Sequence, residues 1–206
     1  MNESNLANFE SGNAARSFEC DDLFEEQQNE NTQEKKPTIS IIGLGYVGAV
    51  TSACFSKMGY PVIGVDSDKK KVKSINSGIS PIYEDGLEKE IQNGLLNKTL
   101  SATDNILEAI VRSSITIISV GTPSDQNGGC SLVYLINVCK RIGLALRRKK
   151  EFHTIIFKST VPPGTTEEKL VPIIEIYSDM VVTLIQDTKY NHGVWIGEPC
   201  NGLKLF

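Results

Sequence analysis

The 206 residues carry 40% hydrophobic side chains, enough for a globular core at a length that suits one domain or one and a half. The formal net charge of -4 argues against a basic nucleic-acid binder, and no stretch approaches the ~20 apolar residues of a membrane span. The acidity is local: residues 1–36 hold nine acids and three bases, and the remainder is slightly basic.

That first segment is rich in Asn, Glu, Gln and Ser and poor in large apolar residues, so it reads as a disordered acidic tail. Phe18 to Phe24 could be a short acidic interaction motif within it. It has no apolar run after its basic residues, so it does not read as a signal peptide. Order is expected from Pro37. "TISII" reads as a strand buried on both faces, and "YVGAVTSACFSKM" as a helix closed by Gly59. "PVIGV" is a second buried strand ending at Asp66. "DKKKVKSIN" is a helix that stops at an Asn76-Ser77-Gly78 turn, and "GLEKEIQNGLL" is another. "LSATD" is a short strand, after which Asp104 is expected to cap the helix "NILEAIVRS". "ITIISV" is a strand leading into the loop "GTPSDQNGG". "SLVYLINVCKRIGLALRRK" is a long helix, with Ser131 as its cap and a basic last turn. "HTIIFKST" is a strand, and "PPGTTEEKLVPIIEIY" a turn and helix capped by Thr165 or Thr166. Apolar strands alternating with helices predict an α/β fold, a Rossmann-type doubly wound parallel sheet with helices on both faces.

Three glycines punctuate the first unit as Gly43-Leu44-Gly45-Tyr46-Val47-Gly48. Such a triplet alone is weak evidence, but a strand precedes it, a helix follows, and Asp66 ends the next strand about twenty residues on. Gly43 suits the tight turn, Gly45 lets a pyrophosphate approach the backbone, and Gly48 lets helix and strand pack closely. The helix N-terminus offers N–H groups and partial positive charge to the phosphates. Asp66 suits a ribose diol and repels a 2′-phosphate, which favours NAD over NADP; Lys69, Lys70 and Lys71 nearby could offset that repulsion. A Rossmann-like fold with an empty crevice is the alternative.

The succession "GLGYVGAV", "VIGVD", "SPIYEDGLE", "SVGTPS" and "KSTVPPGT" resembles the nucleotide-sugar 6-dehydrogenase family, from about residue 38 to about residue 177. "RRKKEFHT" and "STVPPGTTEE" lean towards its GDP-mannose branch. The resemblance implies oxidation of the C6 alcohol of GDP-mannose or UDP-glucose to a carboxylate, with NAD used twice. It implies that Tyr46 and Val47 meet NAD through backbone N–H groups, that Asp66 holds the ribose with Lys71 beside it, and that Thr122 and Thr160 face the nicotinamide half. Without it, both threonines read as turn residues. Asp85 stands where the family usually has proline, so a looser turn is expected there; Glu84 is kept.

The family's chemistry uses a cysteine in a "GGSC"-like loop, which captures the aldehyde as a thiohemiacetal and releases the acid through a thioester. A lysine and an asparagine on a central helix and a glutamate in an "NPEFLRE"-like segment assist. None of these motifs occurs in these residues. Cys200 in "GEPCNG" lacks that context. His153 at a strand start and His192 in a polar loop form no metal or triad spacing, so no catalytic or metal-binding residue is assigned. Cys20, Cys54, Cys130, Cys139 and Cys200 are odd in number and form no CxxC pair, as for reduced thiols of a cytoplasmic protein.

The expected organisation is an acidic tail over 1–36, an NAD-binding domain over 37–177 and a divergent segment over 178–206. The expected function is the cofactor half of a nucleotide-sugar 6-dehydrogenase, inactive alone, that meets a nucleotide sugar only with a complementary chain. The alternative is a non-catalytic NAD-binding remnant. A family-type dimer is not expected without the central helix, and a sheet edge should stand open.

Overall fold

The computed structural model describes residues 35–124, 128–187 and 192–199. The proposed acidic tail, apart from its last two residues, and Cys200 lie outside them. The described residues from Lys36 onward belong to one compact unit.

Strand β1 (Ile39–Ile42) is buried along its whole length. Its alternating side chains serve two cores, because successive residues point to opposite faces. Ile39 and Ile41 pack with Ala49 and Ala53 of helix α1 (Tyr46–Lys57) and Ile91 of α3 (Leu87–Leu96). Ile42 packs instead with Ile110 of α4 (Ile106–Arg112) and Leu135 and Ile142 of α5 (Val133–Leu146). Strands β2 (Val62–Val65), β3 (Leu100–Thr103), β4 (Ile115–Ile118) and β5 (His153–Phe157) join β1 in the parallel order β3-β2-β1-β4-β5. Helix α2 (Lys69–Asn76) links β2 towards α3, and Asp68 caps it by accepting from Lys70 N–H. After β5, a π-helical turn (Thr166–Leu170) runs directly into α6 (Val171–Ser178).

Several expectations of detail are corrected. The five parallel strands form the expected Rossmann-type sheet, and β6 (Met180–Asp187) and β7 (His192–Pro199) add an antiparallel hairpin to it, with β7 paired to β5. His192 therefore opens a strand rather than lying in a loop, and the β5 edge is covered. Asn105, not Asp104, caps α4, accepting from Glu108 N–H, while Asp104 stands 3.6 Å from Lys69. Ser131 does not cap α5; Leu132 holds that position without a side-chain bond, and Ser131 N–H closes the preceding loop onto the Pro123 carbonyl. The basic run follows α5 instead of filling its last turn. Thr165 does precede the π-helical turn, but its side chain makes no capping bond. The turn at Asp85 closes through the backbone, from Leu87 N–H to the Glu84 carbonyl.

A buried polar chain crosses the N-terminal ends of the central strands. Lys149 donates to the Ser113 carbonyl and lies 2.9 Å from His153 Nδ1. His153 Nε2 is 2.7 Å from Thr116 Oγ1, which is 2.6 Å from Ser40 Oγ. A charged Lys149 only donates, so Nδ1 accepts and Nε2 carries the proton. Its ammonium meets the carbonyls at the end of α4, where the helix dipole is negative. Burial, and then the Lys149 charge, push His153 down to about 3 from its ordinary 6.5. The unfolded chain therefore takes up a proton below about pH 6.5 that the folded chain refuses. This contribution to stability is complete above that pH and falls by about 1.4 kcal/mol per unit below it. Urea midpoints taken at about pH 7 and about pH 5 should show a loss of about 2 kcal/mol from this group. His153→Asn should lose correspondingly less over the same interval; equal losses would refute the assignment.

Candidate cofactor site

Register creates the site. Ile42 pairs with Val65 on one side and Ile118 on the other. The next residues, Gly43, Asp66 and Ser119, therefore emerge side by side at the C-terminal ends of β1, β2 and β4. The chain leaves β1 towards β2 and β3 and later returns to β4 on its other side. This is the switch point at which open α/β sheets bind ligands.

Gly43 has φ +97°, a conformation that suits glycine, and its N–H donates to the Val65 carbonyl at 2.7 Å. Leu44 N–H donates to Asp66 Oδ2 at 2.8 Å, and Leu44 is fully buried. Gly45 is extended at the N-terminus of α1. A Cβ added there would meet no atom within 4 Å, so its open side could admit a ligand to the backbone. A Cβ on Gly48 would fall 1.7 Å from the Gly43 carbonyl oxygen. Tyr46 and Val47 begin α1 and are 64% and 47% exposed. No side chain caps this end of the helix.

Asp66 is nearly buried, with 11% of its side chain exposed. Besides Leu44 N–H, its Oδ2 lies 3.3 Å from Lys71 Nζ, and Oδ1 accepts from Asp68 N–H at 2.9 Å. A carboxylate has about four acceptor sites, so one remains for a further donor such as a ribose hydroxyl. Lys71 and Lys69 are each engaged by an acid, Asp66 and Asp104.

A cavity of about 600 Å³ opens over these residues. Gly43, Gly45, Asp66 and Lys71 line it, as do Ile106 at the start of α4 and Asn137, Val138 and Arg141 of α5. The α5 wall follows helical spacing, a signal present in the sequence, but only the fold shows which side of the helix faces the cleft. Tyr46, Val47, Gly48, Thr122 and Thr160 do not line this cavity. The two threonines do meet: Thr122 Oγ1 donates to the Thr160 carbonyl at 2.8 Å. Ser159 Oγ donates to the Val120 carbonyl at 2.7 Å, so the loops after β4 and β5 are stitched together. Ser119, missed by motif reading, stands against the glycine turn; the pairing of Ile118 with Ile42 is the signal that locates it.

Among the described residues no group of acids, histidines and cysteines could hold a metal ion, and no helix is long and apolar enough to cross a membrane. Cys139 is buried and its thiol is pushed up to about 12 by that burial, which makes it unreactive.

Comparison with known proteins identifies the family. Residues 37–191 match the UDP-glucose/GDP-mannose dehydrogenase family, NAD binding domain. The GDP-mannose 6-dehydrogenase of Pseudomonas aeruginosa is 48% identical over 137 residues, 66% of this chain and 31% of that protein. The UDP-glucose 6-dehydrogenase TuaD of Bacillus subtilis is 41% identical over 127 residues, 62% of this chain and 27% of that protein. A ternary-complex crystal structure of GDP-mannose dehydrogenase from Pseudomonas aeruginosa superposes with a TM-score of 0.69 at 45% identity, covering 71% of this chain and 35% of that one. A UDP-glucose dehydrogenase from Pyrobaculum islandicum gives a TM-score of 0.70 at 30% identity, covering 79% and 38%. The chain thus spans about a third of the length of the curated relatives it matches. By sequence, fold and the cleft at its switch point, the chain belongs to the UDP-glucose/GDP-mannose dehydrogenase family, of which it carries the NAD-binding domain.

Proposed function

We propose that this chain supplies the cofactor half of a nucleotide-sugar 6-dehydrogenase acting on GDP-mannose or UDP-glucose, and that it oxidises no sugar by itself. The observation that carries the reading is the cavity rimmed by the Gly43 and Gly45 backbone and by Asp66. Backbone N–H groups over Gly45, Tyr46, Val47 and Gly48 would hold the pyrophosphate at the positive end of α1. Asp66, with Lys71 beside it, would take the adenosine ribose. Thr122 and Thr160, joined across the two loops, would stand towards the nicotinamide half. Bound NAD supplies a hydride acceptor; the residues of this chain bind and orient it. The nucleophilic cysteine and sugar contacts would come from outside these residues, because the "GGSC" and "NPEFLRE" motifs do not occur in them.

The test has two arms. The purified chain should quench or shift NADH fluorescence on titration, and Asp66→Ala should weaken that binding about tenfold or more, as expected for loss of a charged hydrogen-bonding partner. Mixed with NAD and either nucleotide sugar, the chain should generate no NADH absorbance. Turnover would overturn the second claim, and absence of any NADH binding the first.

A further inference from the structure

We propose that Ser119 is a positioning residue for the cofactor, acting with Asp66 as a clamp on a single peptide group, the one between Gly43 and Leu44. The inference rests on the NAD-binding reading and goes beyond it by assigning Ser119, which also lines the cavity, a role through the peptide it holds.

The two ends of that peptide are held from opposite sides. Its N–H, on Leu44, donates to Asp66 Oδ2 at 2.8 Å. Its carbonyl, on Gly43, accepts from Ser119 Oγ at 3.0 Å, with the Ile42 carbonyl a second acceptor at 3.2 Å. Asp66 follows β2 and Ser119 follows β4, the two strands that flank β1, so each half of the clamp is fixed to its own strand. The peptide needs such restraint. Glycine at positive φ gives the turn freedom, and rotating the peptide would exchange the directions of its carbonyl and N–H. In the held orientation the carbonyl dipole is spent on a hydroxyl. The start of α1 is then left with donors only, which is what an anion requires. The backbone of Ser119 adds a steric limit, since its carbonyl oxygen lies 2.8 Å from where a Cβ on Gly43 would be.

Removing the hydroxyl should free the carbonyl end without opening the core. Ser119→Ala is therefore expected to weaken NADH binding about tenfold, the scale of one lost hydrogen bond. Amide hydrogen exchange should accelerate about tenfold at Leu44 and stay unchanged at Ile41 within β1. Ser119→Thr, which keeps the hydroxyl, should restore both. Because Ser119 and Asp66 hold the same peptide, Ser119→Ala combined with Asp66→Asn should lose less affinity than the two single losses together. Wild-type affinity and wild-type Leu44 exchange in Ser119→Ala would overturn the proposal, as would additive losses in the double variant. If the wild-type chain bound no NADH, the cofactor reading would fall, while Leu44 exchange in Ser119→Ala would still decide the clamp.

Discussion

Gly48→Ala should cost the chain several kcal/mol of stability and most of its soluble, cooperatively folding form. The added methyl would sit 1.7 Å from the Gly43 carbonyl oxygen and 2.7 Å from Ser119 Oγ. Real Cβ atoms do not approach so closely, and the nearest neighbour is backbone, which cannot swing away as a side chain tip can. Relief requires α1 to lift from the turn. That helix carries Ala49 and Ala53 into the core against Ile39 and Ile41, so lifting it separates buried surface as well. Overpacking of this kind costs about 1–3 kcal/mol where neighbours can give, and more where they cannot. We expect a loss of about 3 kcal/mol or more in urea unfolding, or failure to accumulate as soluble protein. A midpoint within about 0.5 kcal/mol of wild type would show that the helix rides over the turn more loosely than the distances say.

The same region shows how far the sequence could be read. The central parallel strands were legible because runs such as Ile39–Ile42 and Val62–Val65 are buried on both faces and leave no solvent-facing side to confuse the pattern. The glycine turn and Asp66 were legible because each position obeys a local requirement of backbone or charge. The hairpin was less legible: "MVVTLI" is a short apolar run without a turn signal, whereas "HGVWIGEP" contains two glycines and ends in proline. Its strand state comes from pairing with its hairpin neighbour β6 and with β5, a partner distant in sequence. The caps of α4 and α5 were misplaced by one residue each. Asp104 and Asn105 have similar capping chemistry, and at Ser131 the loop uses the backbone instead of the hydroxyl. Ser119 escaped notice because its partners are carbonyls on β1 and the turn that follows it, 76 and 77 residues away, brought close only by strand register. The buried chain from Lys149 to Ser40 escaped for the same reason: it joins side chains from β1, β4, β5 and the segment before β5.

Gly45→Ala makes the complementary prediction, with the same single methyl. Gly45 has φ -78° and ψ -163°, an extended conformation open to any residue, and an added Cβ meets nothing within 4 Å. Folding should therefore proceed as in the wild type, with a urea midpoint changed by less than about 0.5 kcal/mol. Binding should not. Charged hydrogen bonds need donor and acceptor within about 3 Å, and a methyl on the ligand side of the helix N-terminus would hold a pyrophosphate beyond that reach. Each such bond contributes about 1.5–3 kcal/mol, so loss of even two implies at least about a hundredfold weaker NADH binding. The pair of variants separates the two demands on the glycine triplet. One glycine is required by the fold, because the chain itself fills the space beside it; the other is required by the ligand, because the chain leaves that space open. Wild-type NADH affinity in Gly45→Ala, measured by fluorescence titration on folded protein, would mean that the phosphates approach from elsewhere in the cleft, and the assignment of the α1 N-terminus would have to be given up.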